Sequence, residues 1–358
     1  MDTVTQALLG AAIGQAGFSG SLGRRAKWWG AAAGLLPDID VIAAATHGPF
    51  GELLYHRGFT HSLWFAFVAG PILAWLVQLI YGRRRRGRIP DTGDYGAWTK
   101  LFVLALFTHP LIDWNTTYGT QLFAPFSRER FALNGVGILD PFYSVPLMIA
   151  LIVGSFGRRK LGAARAALRG QRAAWAALAI STLYMFYAAA LNIRLEGQLT
   201  TQLKQAGAQQ VTVRGYPTLL QPWLRRVVAR TDDQIRIGWA TTFAPEATRW
   251  KHFERAEHPL IDTLNATPQG RLFSWFAMEE TSARVRPTRD GFVVEVDDLR
   301  YGTPGPPDEG MWGLRAFFDR SGTLRGEIHR FSRPRSFERL APTNLFRAAF
   351  GDLGALER

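Results

Sequence analysis

Long apolar runs occupy the first 195 residues of the chain. A helix needs about 20 apolar residues to cross a bilayer, and Ser62–Tyr81 and Ala173–Ile193 reach that length without a charged residue. Four further runs are shorter or interrupted by polar residues: Thr3–Gly23, Trp28–Thr46, Leu101–Ile112 and Pro141–Gly157. This pattern predicts an α-helical polytopic membrane domain with about four to six spans.

The pattern changes after Arg194. Apolar and polar residues then alternate in four segments, as in strands with one buried face: Gln210–Arg214, Gln234–Thr242, Gly291–Asp298 and Met311–Asp319. Turn-forming residues separate them, as at Arg289–Gly291 and Gly302–Pro307. We therefore expect a membrane-embedded helical domain over 1–195, followed by a soluble, β-rich α+β domain over 196–358.

Basic residues follow alternate apolar runs, which predicts an orientation. The net charge is +13, and residues 1–195 hold 19 Lys and Arg against 9 Asp and Glu. Fourteen basic residues lie in three connections: Arg24, Arg25 and Lys27; Arg83–Arg86 and Arg88; Arg158–Lys160, Arg165, Arg169 and Arg172. The alternate connections hold three. Because loops rich in basic residues stay in the cytoplasm, we expect the second domain to be extracytoplasmic.

Composition removes several classes of function. The chain has no cysteine, which excludes disulfides, thiol nucleophiles and cysteine-ligated zinc. The basic residues form short clusters between apolar runs and not one polar face, which argues against a nucleic-acid partner. The sequence predicts no particular oligomeric state.

Ionisable residues inside apolar runs are costly and usually functional, and here they gather in four segments. The residues are Asp38 and Asp40, His56 and His61, His109 and Asp113, and Asp140. His109 and Asp113 are four residues apart, so a continuous helix would place them on one face. Asp38 and Asp40 follow Pro37 and suit a non-helical stretch, which is tolerated at membrane depth only where it is buried or lines a cavity.

Imidazole and carboxylate together indicate a divalent transition metal. They suit Zn²⁺ first, with Mn²⁺, Fe or Ni as alternatives, better than Ca²⁺ or Mg²⁺. The number of ligands exceeds one tetrahedral zinc's needs, so one or two ions are predicted. Each residue alone has an ordinary alternative: a single His can be a satisfied core residue, and Asp140-Pro141 favours a helix N-cap. Arg57 is either a surface anchor or a group that holds a phosphate or carboxylate.

An ordered set of elements resembles the bacterial inner-membrane metal-dependent hydrolases of the YdjM type over about residues 1–155. The elements are Asp2–Gly10, Leu36–Asp40, His56–Ser62, His109–Asp113, Thr117–Gly119 and Pro125–Ser127. The family's first element usually has His where this chain has Gln6. More distantly, the scatter of His and Asp over a helical frame looks like that of zinc-dependent phospholipases C and P1-type nucleases.

The resemblance implies metal ligands at six positions: Asp38, Asp40, His56, His61, His109 and Asp113. It implies a bacterial inner-membrane hydrolase, and we expect it to cleave a lipid or lipid-linked phosphoester through metal-activated water. Asp38 and Asp40 are also candidate catalytic residues, one of them as general base, and Arg57 would orient the phosphate. Two alternatives stay open: a transporter or ion pathway using the same cluster, and a catalytically silent scaffold, which Gln6 favours.

Overall fold

The computed structural model describes residues 1–83, 94–156, 162–231, 234–303, 309–333 and 341–356. They form two compact units. The first comprises Met1–Ala43, Tyr55–Leu133 and Ile138–Tyr187, and the second comprises Ala44–Leu54, Asn134–Gly137 and Ala188–Arg358. A helical amino-terminal region followed by antiparallel sheets confirms the predicted order of fold types.

Eight α-helices are described in the first 205 residues: α1 Thr3–Ile13, α2 Arg25–Leu35, α3 Asp40–Thr46, α4 Gly51–Tyr55, α5 Leu63–Arg83, α6 Tyr95–Trp114, α7 Pro141–Ser155 and α8 Ala163–Gln205. Capping carboxylates, from Asp2, Asp94 and Asp140, fix three of the starts, because they accept backbone N–H groups that have no partner within the helix. Asp2 accepts from Thr5 N at 3.0 Å. Asp140 accepts from Phe142 N at 3.0 Å, with Pro141 in the first turn, so its interpretation as an N-cap is confirmed.

Two prolines near the predicted site act differently. Helix α2 ends at Leu35, and Leu36–Ile39 form a 3₁₀ turn that contains Pro37. Pro110 lies inside α6, which continues to Trp114. A proline removes one backbone donor, and α6 tolerates this loss. Asp38 is thus on a turn, whereas His109 and Asp113 are on one helix.

The predicted number of spans is too high for the residues that the structure describes. Two helices in those ranges are long and apolar enough to cross a membrane, over Leu63–Tyr81 in α5 and Ala164–Gln205 in α8. Helix α2 has 11 residues and α7 has 15. At 1.5 Å per residue, even α7 spans only about 22 Å of a core about 30 Å thick. Helix α6 has 20 residues, but Lys100, His109 and Asp113 reduce its apolar character.

Helices α5 and α8 differ from the core helices of a soluble protein. Only 22% and 33% of their apolar windows are buried. Large apolar side chains are exposed along both, including Phe67 and Trp75 on α5 and Leu183 and Phe186 on α8. Extended exposed apolar surface is typical of contact with lipid or a partner. The orientation stays a prediction, and Arg84–Arg86, Arg88 and Arg158–Lys160 lie outside the described residues.

Helices α1 and α2 are in backbone contact. A Cβ at Gly10 would overlap the carbonyl oxygen of Gly30, and one at Gly14 would overlap that of Ala26. A Cβ at Gly34 would meet the carbonyl oxygen of Gln6. Small residues at four-residue spacing are the common way for membrane helices to approach closely. Because these glycines have no Cβ, the backbones of α1 and α2 can approach each other this closely.

The second unit contains two four-stranded antiparallel sheets with strand orders β1-β2-β3-β4 and β5-β6-β7-β8. The strands are β1 Thr212–Pro217, β2 Leu224–Arg230, β3 Gln234–Thr241, β4 Arg249–Glu254, β5 Thr281–Thr288, β6 Gly291–Asp298, β7 Trp312–Asp319 and β8 Leu324–Ser332. Three helices accompany the sheets: α9 Pro259–Asn265, α10 Pro268–Phe276 and α11 Pro342–Ala349. The four predicted strands coincide with β1, β3, β6 and β7. Part of the predicted turn over Gly302–Pro307 lies outside the described residues.

The end of α8 supplies part of the core of the second unit. Leu195, Leu199 and Leu203 recur every four residues and are buried. They form one cluster with Val213 of β1 and Val227 of β2. An apolar row at this spacing is the contact face of a helix on a sheet. The same helix therefore carries an exposed apolar segment and, further along, a conventional core face.

Candidate metal centre

Four metal-ligand side chains from three segments converge in the helical unit. Asp38 comes from the 3₁₀ turn after α2, His61 from the 3₁₀ turn Phe59–His61, and His109 and Asp113 from α6. One ligand atom from each residue lies within 4.8 Å of the other three. Among the described residues, this is the group that has the composition and spacing to hold a metal ion. We refer to these four residues as the DHHD cluster.

The distances within the DHHD cluster match those between atoms that share one ion. The Nε2 atoms of His61 and His109 are 3.0 Å apart. His61 Nε2 lies 3.4 Å from Asp38 Oδ1 and 3.3 Å from Asp113 Oδ2. His109 Nε2 lies 3.6 Å from each of the same oxygens. Bonds of about 2.0–2.2 Å in a tetrahedron place ligand atoms about 3.3–3.6 Å apart. The four imidazole–carboxylate distances fall in this range, and the imidazole–imidazole distance is shorter.

Both imidazoles are oriented through their second nitrogen. His109 Nδ1 lies 2.7 Å from the carbonyl oxygen of Gly34, and because a carbonyl can only accept, Nδ1 carries the proton. His61 Nδ1 lies 3.0 Å from Asp40 Oδ2. In metal sites such partners fix the tautomer and aim the other nitrogen at the ion. Both Nε2 atoms therefore face the cluster and would be the nitrogens that bind an ion.

Asp40 supports the cluster from outside it. Besides His61, its carboxylate accepts from the backbone N–H of Arg57 at 2.9 Å and from Thr60 Oγ1 at 3.1 Å. His56 Nδ1 lies 2.8 Å from its other oxygen. Arg57 has a φ of +58°, a left-handed conformation that is uncommon for a residue with a Cβ. Such local strain is usually maintained only where the surroundings require it.

The structure therefore separates the six predicted ligands into two groups. Asp38, His61, His109 and Asp113 are together in the DHHD cluster. Asp40 and His56 form an adjacent hydrogen-bonded pair. Ligation by any of the six stays a prediction, but the geometry assigns Asp40 a supporting contact with His61.

Arg57 is buried, which excludes the surface-anchor interpretation. Its side chain is 3% exposed. Its Nε lies 3.2 Å from Asp113 Oδ2, and Nη1 donates to Thr116 Oγ1 at 2.6 Å. Its guanidinium also lies over the ring of Tyr118, and Arg130 lies over the same ring at 5.2 Å. These contacts hold Arg57 against Asp113 and place a positive charge beside the cluster.

Gln6 also lies at the cluster. Its Nε2 donates to Asp113 Oδ1 at 3.1 Å, while its Oε1 is buried and has no hydrogen-bond partner among the described residues. The α-amino group of Met1 pairs with the same carboxylate oxygen of Asp113. Buried acceptors are rarely left unsatisfied, so an orphaned oxygen at this place fits a site that takes a further cation or water. The donor set and this oxygen together fit a bound metal.

Sequence reasoning did not assign roles to Gly34, Thr60 and Thr116. Gly34 acts through its backbone carbonyl, which no residue type reveals. Thr60 precedes His61, and Thr116 follows Asp113 by three residues, where its hydroxyl donates to the Asp113 carbonyl oxygen at 2.7 Å. A hydroxyl residue one or three positions from a predicted ligand is the sequence signal that could have identified Thr60 and Thr116.

A separate cavity lies in the second unit. It has a volume of about 870 Å³, which is in the range of small-molecule sites. Ile235 and Ile237 of β3 supply apolar lining, and Arg230, Glu254 and Arg284 supply charges of both signs. No group of three metal-ligand residues was found there within the described ranges. The candidate chemistry is therefore in the helical unit.

The fold and the cluster define a class: a helical protein with apolar, exposed helices, a buried carboxylate–imidazole cluster and an appended β-rich unit. The model of the family described as YdjM inner membrane protein matches residues 1–194. The chain therefore belongs to the YdjM inner membrane protein family, as the sequence resemblance predicted. This membership supports an inner-membrane location, and the DHHD cluster lies inside the matched region.

Two curated relatives extend this finding. The uncharacterized protein YfhP of Bacillus subtilis (strain 168) is 27% identical over 318 residues, covering 85% of this chain and 88% of the relative. The inner membrane protein YbcI of Escherichia coli (strain K12) is 41% identical over 101 residues, covering 27% of this chain and 51% of the relative. The first match is too long to be confined to residues 1–194. No solved structure matches the chain.

Proposed function

We propose that the protein is a membrane-bound, metal-dependent hydrolase in which the DHHD cluster holds one divalent ion. The observation that carries this proposal is the set of ligand-atom distances of 3.0–3.6 Å among four side chains from three segments. Zn²⁺ is the first choice, with Mn²⁺, Fe and Ni as alternatives, because imidazole and carboxylate ligands suit these ions. When bound, such an ion lowers the pKa of a bound water towards about 7 and polarises the scissile bond.

The residues of the cluster have different access to solvent. Asp38 is 25% exposed, whereas His61, His109 and Asp113 are each at most 1% exposed. Water and substrate therefore have to approach on the side of Asp38. This makes Asp38 the carboxylate best placed to accept a proton from the attacking water. Asp40 orients His61, and Arg57 holds Asp113 in place.

The proposed substrate is a lipid or a lipid-linked phosphoester. The exposed apolar faces of α5 and α8 would keep the protein in a bilayer, where such substrates diffuse. The guanidinium of Arg57 beside Asp113 gives the site a positive charge that favours an anionic substrate. The positive-inside rule favours an extracytoplasmic second unit, which a reporter fused after residue 358 would test.

Elemental analysis and an activity panel together test this proposal. Protein purified in detergent should contain about one transition metal per chain and should hydrolyse a phospholipid or phosphodiester in a chelator-sensitive manner. His61→Ala should lose both properties. His252→Ala, at an exposed histidine of the second unit, is the matched control and should retain both. Metal-loaded protein that hydrolyses no member of the panel would overturn the enzymatic proposal and leave the metal site standing.

One observation favours a second candidate, the catalytically silent scaffold. Two His and two Asp fill the shell of a tetrahedral zinc, and closed four-ligand shells are typical of structural zinc sites. X-ray absorption spectroscopy separates the candidates. Five ligand atoms, with three oxygens beside two nitrogens, support the hydrolase, whereas four ligand atoms with two oxygens support the scaffold.

A further inference from the structure

A small basic cavity lies where four helix ends meet in the helical unit. It has a volume of about 100 Å³. Its polar lining comes from Gln15 and Ser19 after α1, Arg24 and Lys27 at the start of α2, and Ser155 at the end of α7. Gly170, near the start of α8, closes it. None of these residues belongs to the DHHD cluster, and we refer to the cavity as the Arg24–Lys27 pocket.

The charges in this pocket are of one sign. Arg24 and Lys27 line it, and no carboxylate does so among the described residues. Burial and the neighbouring Arg24 lower the pKa of Lys27, as expected for two cations that share a site without an anion. The Lys27 ammonium donates to Ser155 Oγ at 2.9 Å, and that hydroxyl donates onwards to Leu151 O at 2.7 Å. An ammonium has three donors, so this contact leaves two for a ligand.

The floor of the pocket is fixed before any ligand binds. The Gln15 amide is buried and donates from Nε2 to Ala150 O at 2.8 Å and to Gly170 O at 3.1 Å. A Cβ at Gly154 would overlap this amide, so the glycine makes room for it. The start of α2 adds a favourable dipole, because the amino end of a helix attracts anions. The pocket thus combines a fixed amide floor with two cationic side chains, an exposed Arg24 and a partly buried Lys27.

We propose that the Arg24–Lys27 pocket binds a phosphate group, supplied by the headgroup of an anionic membrane lipid. Its volume of about 100 Å³ is below the roughly 300 Å³ of pockets that enclose whole small molecules, so it takes a headgroup and leaves the rest of the lipid outside. Exposed apolar side chains adjoin the lining in sequence: Ile152 on α7, Phe156 directly after it, and Leu168 on α8. Basic pockets between membrane helices are known to bind such headgroups.

Native mass spectrometry of the full chain tests the proposal. Phosphatidylglycerol would be titrated against phosphatidylcholine in the same detergent. The wild-type chain should retain phosphatidylglycerol selectively, and Arg24→Gln/Lys27→Gln should weaken its binding by about tenfold to thirtyfold, because each basic residue contributes roughly tenfold or less. Lys27→Arg keeps the charge and should bind as the wild type does.

The matched control is Arg165→Gln/Arg172→Gln, which removes two exposed basic residues of α8 outside the pocket lining. It should bind phosphatidylglycerol within about twofold of the wild type. An equal loss in both double variants would overturn the pocket and indicate diffuse surface attraction. Inorganic phosphate that binds as tightly as phosphatidylglycerol would overturn the lipid as the source. Unchanged metal content and thermal midpoint show that each variant is folded.

Discussion

The two units bury carboxylates in different surroundings. In the helical unit, buried Asp113 contacts the imidazoles of His61 and His109 as well as Arg57 and the α-amino group of Met1. The partly exposed Asp38 contacts the same two imidazoles. In the second unit, buried Asp298 accepts hydrogen bonds from Nε and Nη2 of Arg300 at 2.9 and 2.7 Å. A guanidinium is always charged and matches both oxygens of a carboxylate. An imidazole that ligates a metal is neutral and supplies no such charge.

The pairing of buried acids with arginines extends across the sheet formed by β5–β8. Glu295 accepts from Arg315 at 2.6 Å, Asp297 accepts from Arg284 at 2.6 Å, and Arg333 contacts both carboxylates. Each buried acid on β6 therefore has a permanent cation within the protein. The comparison teaches that burial of acids does not by itself indicate a metal. The indication comes from two acids, Asp38 and Asp113, that share the same two imidazoles as close partners.

The largest expected effect is loss of the metal on removing one member of the DHHD cluster. Asp113→Asn should reduce bound metal from about one per chain to near zero, because Asp113 would supply one of the four proposed ligand atoms. Inductively coupled plasma mass spectrometry measures this directly. If the variant retained a full complement of metal, the cluster would not be the binding site.

Substitution of a buried acid in the second unit should lower the stability of the protein and leave its metal content unchanged. Asp298→Asn leaves the buried Arg300 without its charged partner, and breaking a buried pair typically costs about 3–5 kcal/mol. Chemical denaturation followed by tryptophan fluorescence should show this destabilisation. Metal content should stay at the wild-type value. A parallel loss of metal would mean that the two kinds of acid are not independent.

A supporting contact should matter less than a ligand. Asp40→Asn removes the charge that orients His61 but leaves the four ligand atoms in place. Loss of such a partner typically costs 10- to 100-fold in metal affinity. Competition with a fluorescent chelator should show this weakening, with full occupancy restored at high metal concentration. An occupancy that never recovers would indicate that Asp40 is itself a ligand.

A substitution at Gln6 should strengthen metal binding instead of weakening it. Its amide nitrogen is 3.1 Å from Asp113 Oδ1, and imidazole is a far better transition-metal ligand than an amide. Gln6→His should therefore raise metal affinity by about tenfold or add a second, weaker ion. The same chelator competition measures it, with Gln6→Asn as the control of similar polarity. No change in affinity or stoichiometry would show that position 6 does not reach the metal.

The smallest expected effect concerns an exposed acid. Hydrogen bonds from Ser321 and Thr323 in the β7–β8 turn, together with Arg325, lower the pKa of Asp319 from 3.8 to about 2. A depressed carboxyl pKa contributes stability above about pH 4 that is lost as the pH falls towards 2. The difference in denaturation midpoint between the wild type and Asp319→Asn should shrink across that window. A difference that stays constant down to pH 2 would contradict the shift.

Much of the site was predictable because its residues carry local signals. His61 follows a compact His-Arg-Gly-Phe-Thr-His segment, and His109 and Asp113 have helical spacing that α6 preserves. Their convergence with Asp38 was predicted from the resemblance and from the cost of burying charge. The sequence did not predict that Asp38 joins the DHHD cluster while Asp40 only supports it, because the two residues are two positions apart and chemically identical. Only the path of the 3₁₀ turn separates them.

The fold was predictable where one-faced burial produces alternation. Strand β3 shows it over its first four residues, but β2 and β6 do not, because most of their residues are buried on both faces. Arg225 of β2 is buried, and its guanidinium donates to the carbonyl oxygens of Gly135 and Ala188 at 2.8 and 3.2 Å. A buried Arg with backbone partners is indistinguishable in sequence from an exposed one. The same limitation affected the spans, since apolar composition does not show where a helix breaks.

The backbone contact between α1 and α2 gives the metal centre a remote point of control. Gly30 touches no ligand, yet a methyl group there would collide with Gly10 and force the two helices apart. Four residues further along the same helix, the Gly34 carbonyl holds His109 and would be displaced with it. With an ion bound by the cluster, the close approach of α1 and α2 would therefore help to set the ion radius that the site accepts, and Gly30 would be the position at which to change it.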